Sequence, residues 1–136
     1  MMNTASAMLQ SNPKDVGRFD RAELAACIEL LTECSHACNA CADACLSEES
    51  VADLTKCIRT DLDCADVCDA TRGVLARHTG NDDTLTMAML AACVTACRSC
   101  ADECSRHADH HEHCRVCADV CRRCEVSCRG LADAPG

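Results

Sequence analysis

The 136-residue chain has no tryptophan, no tyrosine and one aromatic residue, Phe19. A core held by large apolar side chains is therefore excluded, and cohesion must come from another source. Basic residues are also scarce, 13 Lys+Arg against 22 Asp+Glu, for a net charge of −9. That balance argues against a nucleic-acid partner and suits a ligand that arrives as a cation. No apolar run approaches the roughly 18 residues of a membrane span, so no membrane partner is expected. The opening MMNTASAMLQSNPKD lacks a basic n-region, an apolar h-region and a twin-arginine pair. No export signal is expected, and the expected location is a reducing cytoplasm, where thiols stay thiols.

What the chain has in excess is cysteine, 17 residues. Their spacing carries more information than their number. Cys34, Cys38, Cys41 and Cys45 are separated by 4, 3 and 4 residues, and Cys93, Cys97, Cys100 and Cys104 repeat the pattern. Cys114, Cys117, Cys121, Cys124 and Cys128 run 3, 4, 3, 4. Alternating threes and fours trace the seam of a bundled helix, which leucine normally fills. Extending that phase adds Cys27, Cys57, Cys64 and Cys68. It also brings Leu24, Leu31, Leu54, Leu75 and Leu90, mostly at the ends, and Asp61, Thr71, Thr86, His107 and His110 or His111.

Local signals predict an all-α fold, an antiparallel up-down-up-down four-helix bundle with a short N-terminal extension. Residues 1–19 form the extension, loose apart from a short helix over 4–10. Residues 20–130 form the bundle and 131–136 a flexible tail. Asp20 with Glu23 reads as a capping box for a first long helix ending near Leu46. Ser47–Ser50 reads as a turn and the next start, with a helix to about His78, a break at Thr79–Asp82 and Gly80 as C-cap. Asp83 caps a third helix to about His107, and Asp109 with Glu112 boxes a fourth that ends near Arg129. Short connections make neighbours antiparallel, so the histidines of 107–113 gather at one end. The other end is plugged by leucines, with Met87 and Met89 close by. His78 and the arginines Arg115, Arg122, Arg123 and Arg129 are assigned to the surface, the arginines to a solvated or subunit-contact face.

Seventeen thiols in heptad register are a ligand array. Packing alone would use one or two. Structural zinc and iron–sulfur centres normally take cysteines from irregular knuckles, which continuous rows on straight helices do not provide. Cu(I) is soft and accepts two or three thiolates, and CxxxC pairs such as Cys34/Cys38, Cys64/Cys68, Cys93/Cys97 and Cys124/Cys128 supply two from one face. Bare thiolates in such numbers are untenable in a core, so the metal-free array holds protons that each ion displaces. Low coordination with sharing gives on the order of one copper per cysteine. Many equivalent sites without an open coordination position indicate storage and no enzyme activity. An iron–sulfur (ferredoxin-like) or zinc-binding four-helix protein is the alternative.

The stretch CRSCADECSRHADHHEHCRVCADVCRRCEVSC, residues 97–128, resembles the bacterial copper storage proteins, and the likeness extends over about 20–130. The resemblance is to the cytosolic branch. It implies a cysteine-lined four-helix bundle assembled as a homotetramer, holding many cuprous ions along its axis. A copper chaperone or a cytosolic copper–thiol donor is expected as a further partner. The second long helix departs from it in being thiol-poor. Candidate metal residues are all seventeen cysteines, with His107 and His111 as ligands at the mouth and His113 and His110 next. The start of the last helix is expected to favour their neutral form. Asp61 is a poor ligand for Cu(I) and is expected to take protons from, or hydrogen-bond to, thiols or histidine.

Overall fold

The computed structural model describes residues 3–136; Met1 and Met2, the start of the expected extension, lie outside the described residues. Among the described residues the regular structure is all helical: α1 (Thr4–Ser11), α2 (Arg21–Leu46), α3 (Thr55–Leu75), α4 (Asp83–Ser105) and α5 (Glu112–Ala132), with a 3-10 turn at Val51–Asp53. α2 packs on α3 and α5, and α4 packs on α3 and α5. The four long helices thus surround one interior.

α2 starts where the sequence predicts. The Asp20 carboxylate accepts from the Glu23 N–H at 3.0 Å, satisfying a donor that the helix cannot. α4 starts on Asp82 instead of Asp83, with its carboxylate accepting from the Thr84 and Leu85 N–H groups. The other two starts depart further. The Asp109–Glu112 box does not form: His111 is the N-cap of α5, without a side-chain cap, and Glu112 turns to Arg115. His111 is held from outside, by Glu48 at 2.8 Å and by Ser50 at 3.4 Å, and this contact sets the start of the helix. α3 begins not at Ser47–Ser50 but at Thr55, with Leu54 at the N-cap and no side-chain cap. Leu54 is fully buried there. Burying a leucine gains about 1.5–3 kcal/mol. A good cap contributes about 1 kcal/mol, so burial wins.

α3 stops at Leu75 rather than near His78, and Gly80, with φ 65°, turns the loop beyond it instead of capping it. α5 runs past Gly130 to Ala132 and buries Leu131. α4 has the length and apolar composition of a membrane-spanning helix, where the sequence reading finds none. Its Leu90, Cys93, Cys97, Cys100 and Cys104 are buried among the other helices, so core demand accounts for that composition.

Ala5, Leu9, Val16 and Phe19 join the same apolar cluster as the long helices. Polar contacts also fasten this segment. The Ala5 N–H donates to Glu29 Oε1 at 3.3 Å, and Arg18 Nη2 donates to the Ala134 carbonyl at 3.0 Å. Leu24, Leu31, Leu75, Leu90 and Leu131 are all essentially inaccessible and lie towards the end of the bundle away from the histidines. Leu54 is the exception, being buried at the histidine end. With so many small side chains between them, these leucines carry much of the burial energy of the metal-free protein. Replacing Leu90 with alanine should lower metal-free stability by about 2–5 kcal/mol, read by circular dichroism during denaturant unfolding. A change under 1 kcal/mol would mean that the end of the bundle is not tightly packed.

Candidate metal centre

All seventeen cysteines are buried free thiols. Their sulfurs form a continuous path across helices. Cys27 lies 3.7 Å from Cys128, and Cys128 lies 3.7 Å from Cys93. Cys68 follows at 3.9 Å, then Cys97 at 3.8 Å and Cys64 at 3.8 Å. Cys64 reaches Cys34 at 4.0 Å, Cys34 reaches Cys121 at 3.7 Å, and Cys121 reaches Cys38 at 3.5 Å. From Cys38 the path continues to Cys100 at 3.9 Å, Cys104 at 3.9 Å and Cys57 at 3.5 Å. Residue numbers rise along α2 while they fall along α5, from Cys27–Cys128 to Cys41–Cys114.

The i,i+4 pairs expected to clamp ions are present, with Sγ separations of 3.9 Å for Cys64/Cys68 and 4.0 Å for Cys93/Cys97. Contacts between helices are as short, so the sulfurs also group in fours. Cys34, Cys68, Cys97 and Cys124 lie within 4.8 Å of one another, as do Cys34, Cys38, Cys64 and Cys121. Cys38, Cys100, Cys117 and Cys121 form another group, and Cys41, Cys45, Cys57 and Cys114 a fourth. Cys34, Cys38 and Cys121 each belong to at least two groups. A set of separate tetrahedral sites would not share corners in this way, whereas bridging thiolates do.

Burial disfavours the charged form throughout the array. It pushes the Cys45 thiol up to about 11, and it raises Cys114 as well. Where a sulfur is pulled down, as at Cys34, hydrogen bonds from Cys121, Cys124 and Cys38 do it, and each donor must itself carry a proton. The metal-free array therefore shares protons along its length.

Asp61 is fully buried inside the array. Its Oδ1 accepts from Cys100 at 3.0 Å, Cys117 at 3.3 Å and Cys104 at 3.4 Å, and Oδ2 has no partner. Burial above all, then the neighbouring Cys117 and Cys100 sulfurs, push its carboxyl up to about 12. Without metal it is therefore held as the neutral acid, so the expectation that it takes protons from thiols is not met, whereas the expected hydrogen bonds with thiols are present.

The histidines at 107–113 divide. His110 is exposed, whereas His107, His111 and His113 are half-buried. His107 Nε2 lies 2.8 Å from Glu103 Oε2. His113 Nδ1 faces the thiols, 3.4 Å from Cys41 Sγ and 3.6 Å from Cys114 Sγ, and its Nε2 donates to Glu48 at 2.8 Å. At His113 the expected bias towards the neutral form is opposed: burial would lower its pKa, but hydrogen bonds with Cys41 and Glu48 raise it on balance. Glu48 and Glu103 were not among the sequence candidates. Glu103 could have been found from its i,i+4 spacing to His107; Glu48 has no such signal. At the far end His78 is half-buried and its Nε2 has no partner, and Met87 packs against the core edge. Arg122 and Arg129, with Arg98, converge on Glu125.

The sequence profile described as copper storage protein matches residues 20–133. The chain belongs to the copper storage protein family. Among solved structures it is similar to the copper storage protein Ccsp from Streptomyces lividans loaded with 10 copper equivalents. That similarity is 58% identity over 97% of this chain and 100% of the other, with a TM-score of 0.95. A second structure of that protein, called cytosolic and carrying five coppers, is 62% identical over 85% of this chain and 96% of its own, at TM-score 0.83. The Cu(I)-bound copper storage protein BsCsp3 is more distant, 36% identical over 79% of this chain and 95% of its own, at TM-score 0.70.

Within this member of the family, Asp61 has a measurable consequence without metal. The native state keeps its proton up to about 12. An unfolded aspartate loses it near 3.9. Between those values the native state binds the extra proton, so metal-free stability falls as pH rises. The groups facing Asp61 are the thiols of Cys41, Cys57, Cys100, Cys104 and Cys117. Asp61→Asn removes the titrating acid, so it should be more stable than the parent at neutral pH, with a flatter stability curve between about pH 4 and 8. Denaturant unfolding of metal-free protein across that range checks this; an unchanged slope would contradict it.

Proposed function

We propose that this chain is a cytosolic, high-capacity store for cuprous ions that also buffers toxic copper. The observation that carries the reading is the sharing of sulfurs between neighbouring four-thiol groups, at Cys34, Cys38 and Cys121. Sharing lets each thiolate serve more than one ion and keeps a loaded core near neutral. The copper loads of the Streptomyces relative and the Cu(I) in BsCsp3 support the same ligand chemistry here. The location is carried from the relative described as cytosolic.

We read the architecture as an antiparallel up-down-up-down four-helix bundle, residues 20–130, preceded by an extension and followed by a short tail. The opposed numbering of contacts between α2 and α5 supports it. All seventeen cysteines are assigned as thiolate ligands. His107, His111 and His113 are assigned to the mouth. Asp61 is assigned as the acid that hydrogen-bonds to Cys100, Cys104 and Cys117 and gives up its proton as the array fills. No substrate-sized open metal position is part of this reading, so no enzyme activity is assigned. The homotetramer is carried from the family resemblance, and a chaperone or copper–thiol donor is assigned as the partner that delivers copper.

Four sulfurs within 4.8 Å would also suit a tetrahedral zinc ion or a cluster, so the metal has to be distinguished by experiment. Reduced metal-free protein titrated with buffered Cu(I) should saturate at about 17 equivalents, on the order of one per cysteine. It should release protons throughout, stay colourless and become luminescent. Saturation at only a few equivalents, or preferential retention of zinc or a brown iron–sulfur chromophore from cells, would overturn the storage reading.

A further inference from the structure

The mouth of the array contains a carboxylate with two imidazole partners. Glu48 lies in the turn after α2. Its Oε2 is 2.8 Å from His111 Nδ1 and 2.8 Å from His113 Nε2. The two rings stack, with centroids 5.5 Å apart and planes 23° from parallel. Glu48 uses the opposite nitrogen of each ring, and this has a chemical consequence. An ionised carboxylate can only accept hydrogen bonds, so each nitrogen that faces it carries the hydrogen. In its neutral form a histidine has one N–H and one lone pair, so the nitrogen facing away is the one free to bind metal.

We propose that Glu48 is a positioning residue for copper uptake, which through one carboxylate oxygen holds His111 and His113 in opposite tautomers. His111 is held as the Nδ1–H form and presents Nε2, beside Ser50 Oγ at 3.4 Å. His113 is held as the Nε2–H form and presents Nδ1 to Cys41 at 3.4 Å and Cys114 at 3.6 Å. This deepens the storage reading and rests on it. A cuprous ion held by His111 can pass to His113 and then to the thiols without either ring turning over. Each passage exchanges one Cu–N bond for the next Cu–N or Cu–S bond. Copper remains Cu(I) throughout, and each thiol that becomes a thiolate releases one proton to water.

His111 is the sensitive probe. Free neutral histidine in water prefers the Nε2–H tautomer, which is also the one assigned to His113. Only His111 is held against that preference, and the one carboxylate at its Nδ1 is Glu48. Ligand histidines elsewhere are oriented by such outer partners, whose loss typically costs 10–100-fold in affinity or activity.

The test has two arms. In the first, metal-free protein labelled with nitrogen-15 is examined by long-range proton–nitrogen correlation at mildly alkaline pH. The parent should have His111 as Nδ1–H and His113 as Nε2–H. In Glu48→Ala, His111 should move to the Nε2–H form. In Glu48→Gln, the amide oxygen keeps two lone pairs and can still accept from both rings, so both assignments should be kept. In the second arm, uptake from a buffered Cu(I) complex is followed by stopped flow. The first phase should slow about ten-fold in Glu48→Ala, with the final copper equivalents unchanged. The glutamine variant should load like the parent, and Glu48→Leu, which has no acceptor, serves as the test if the alanine variant misfolds. A parent His111 in the Nε2–H form overturns the proposal. So does an alanine variant whose His111 tautomer or first-phase rate is unchanged. Because the first arm contains no copper, its failure is distinguishable from failure of the storage reading, which would appear as a low capacity in the parent itself.

Discussion

The structure depends on placing ligand sulfurs within about 4 Å of one another inside a folded chain. A helical seam of alternating threes and fours does this at low conformational cost, because the backbone is already fixed by its own hydrogen bonds. The same choice weakens the core. A thiol removes less apolar surface from water than the leucine it replaces, at ~25 cal/mol per Å². The chain offsets this where ligands are not needed. Leu24, Leu31, Leu75, Leu90 and Leu131 close one end, and Leu9, Val16 and Phe19 of the leading segment pack against the same cluster. Packing of this leading segment thus adds apolar burial that the thiol-lined helices lack.

Charge sets the second constraint. Burial opposes thiolates in the metal-free state and opposes the carboxylate of Asp61 for the same reason. An aspartic acid among thiols costs stability unless it is neutral, and it is surrounded by three S–H donors on a single oxygen. When cations enter, the preference reverses, since a positive ion stabilises the anionic form of each nearby group. Under the storage reading, Asp61 and its cysteine neighbours are proton-rich when empty and proton-poor when full. The cost of burying them in the empty protein is thus tied to the property that lets them accept ions.

The seam was legible in the sequence because its period is a local property of the chain. Cys27, Cys57 and Asp61 were placed by phase alone, and each is buried. Places where a distant contact decides the outcome were not legible. The Asp109–Glu112 box has the right residues at the right spacing, yet His111 becomes the N-cap because Glu48 and Ser50, from another part of the chain, hold it. Ser47–Ser50 has good capping residues, yet α3 begins later because Leu54 is worth more buried. Glu48 itself looked like a turn residue. Its partner His113 is 65 positions away, and no spacing rule reaches that far.

The two ends of the bundle differ in ligand character as well as in polarity. At the outer edge of the mouth is the Glu48 carboxylate, more exposed than the His111 and His113 rings it touches and, as a hard oxygen group, of little affinity for Cu(I). Next come imidazoles, which bind it moderately, and then thiols, which bind it strongly and in numbers. A cation attracted by the acidic surface would meet progressively softer ligands as it moved inward, so each exchange would be downhill. Reversing that order would trap ions at the rim and leave the interior empty. Under the positioning proposal, Glu48 contributes by fixing which nitrogen of each ring is available, an effect that does not require it to touch the metal. Placing Glu48 beside the two rings, one step outside Cys41 and Cys114, gives the gradient a fixed geometry at the point where hydrated surface gives way to a dry thiol interior.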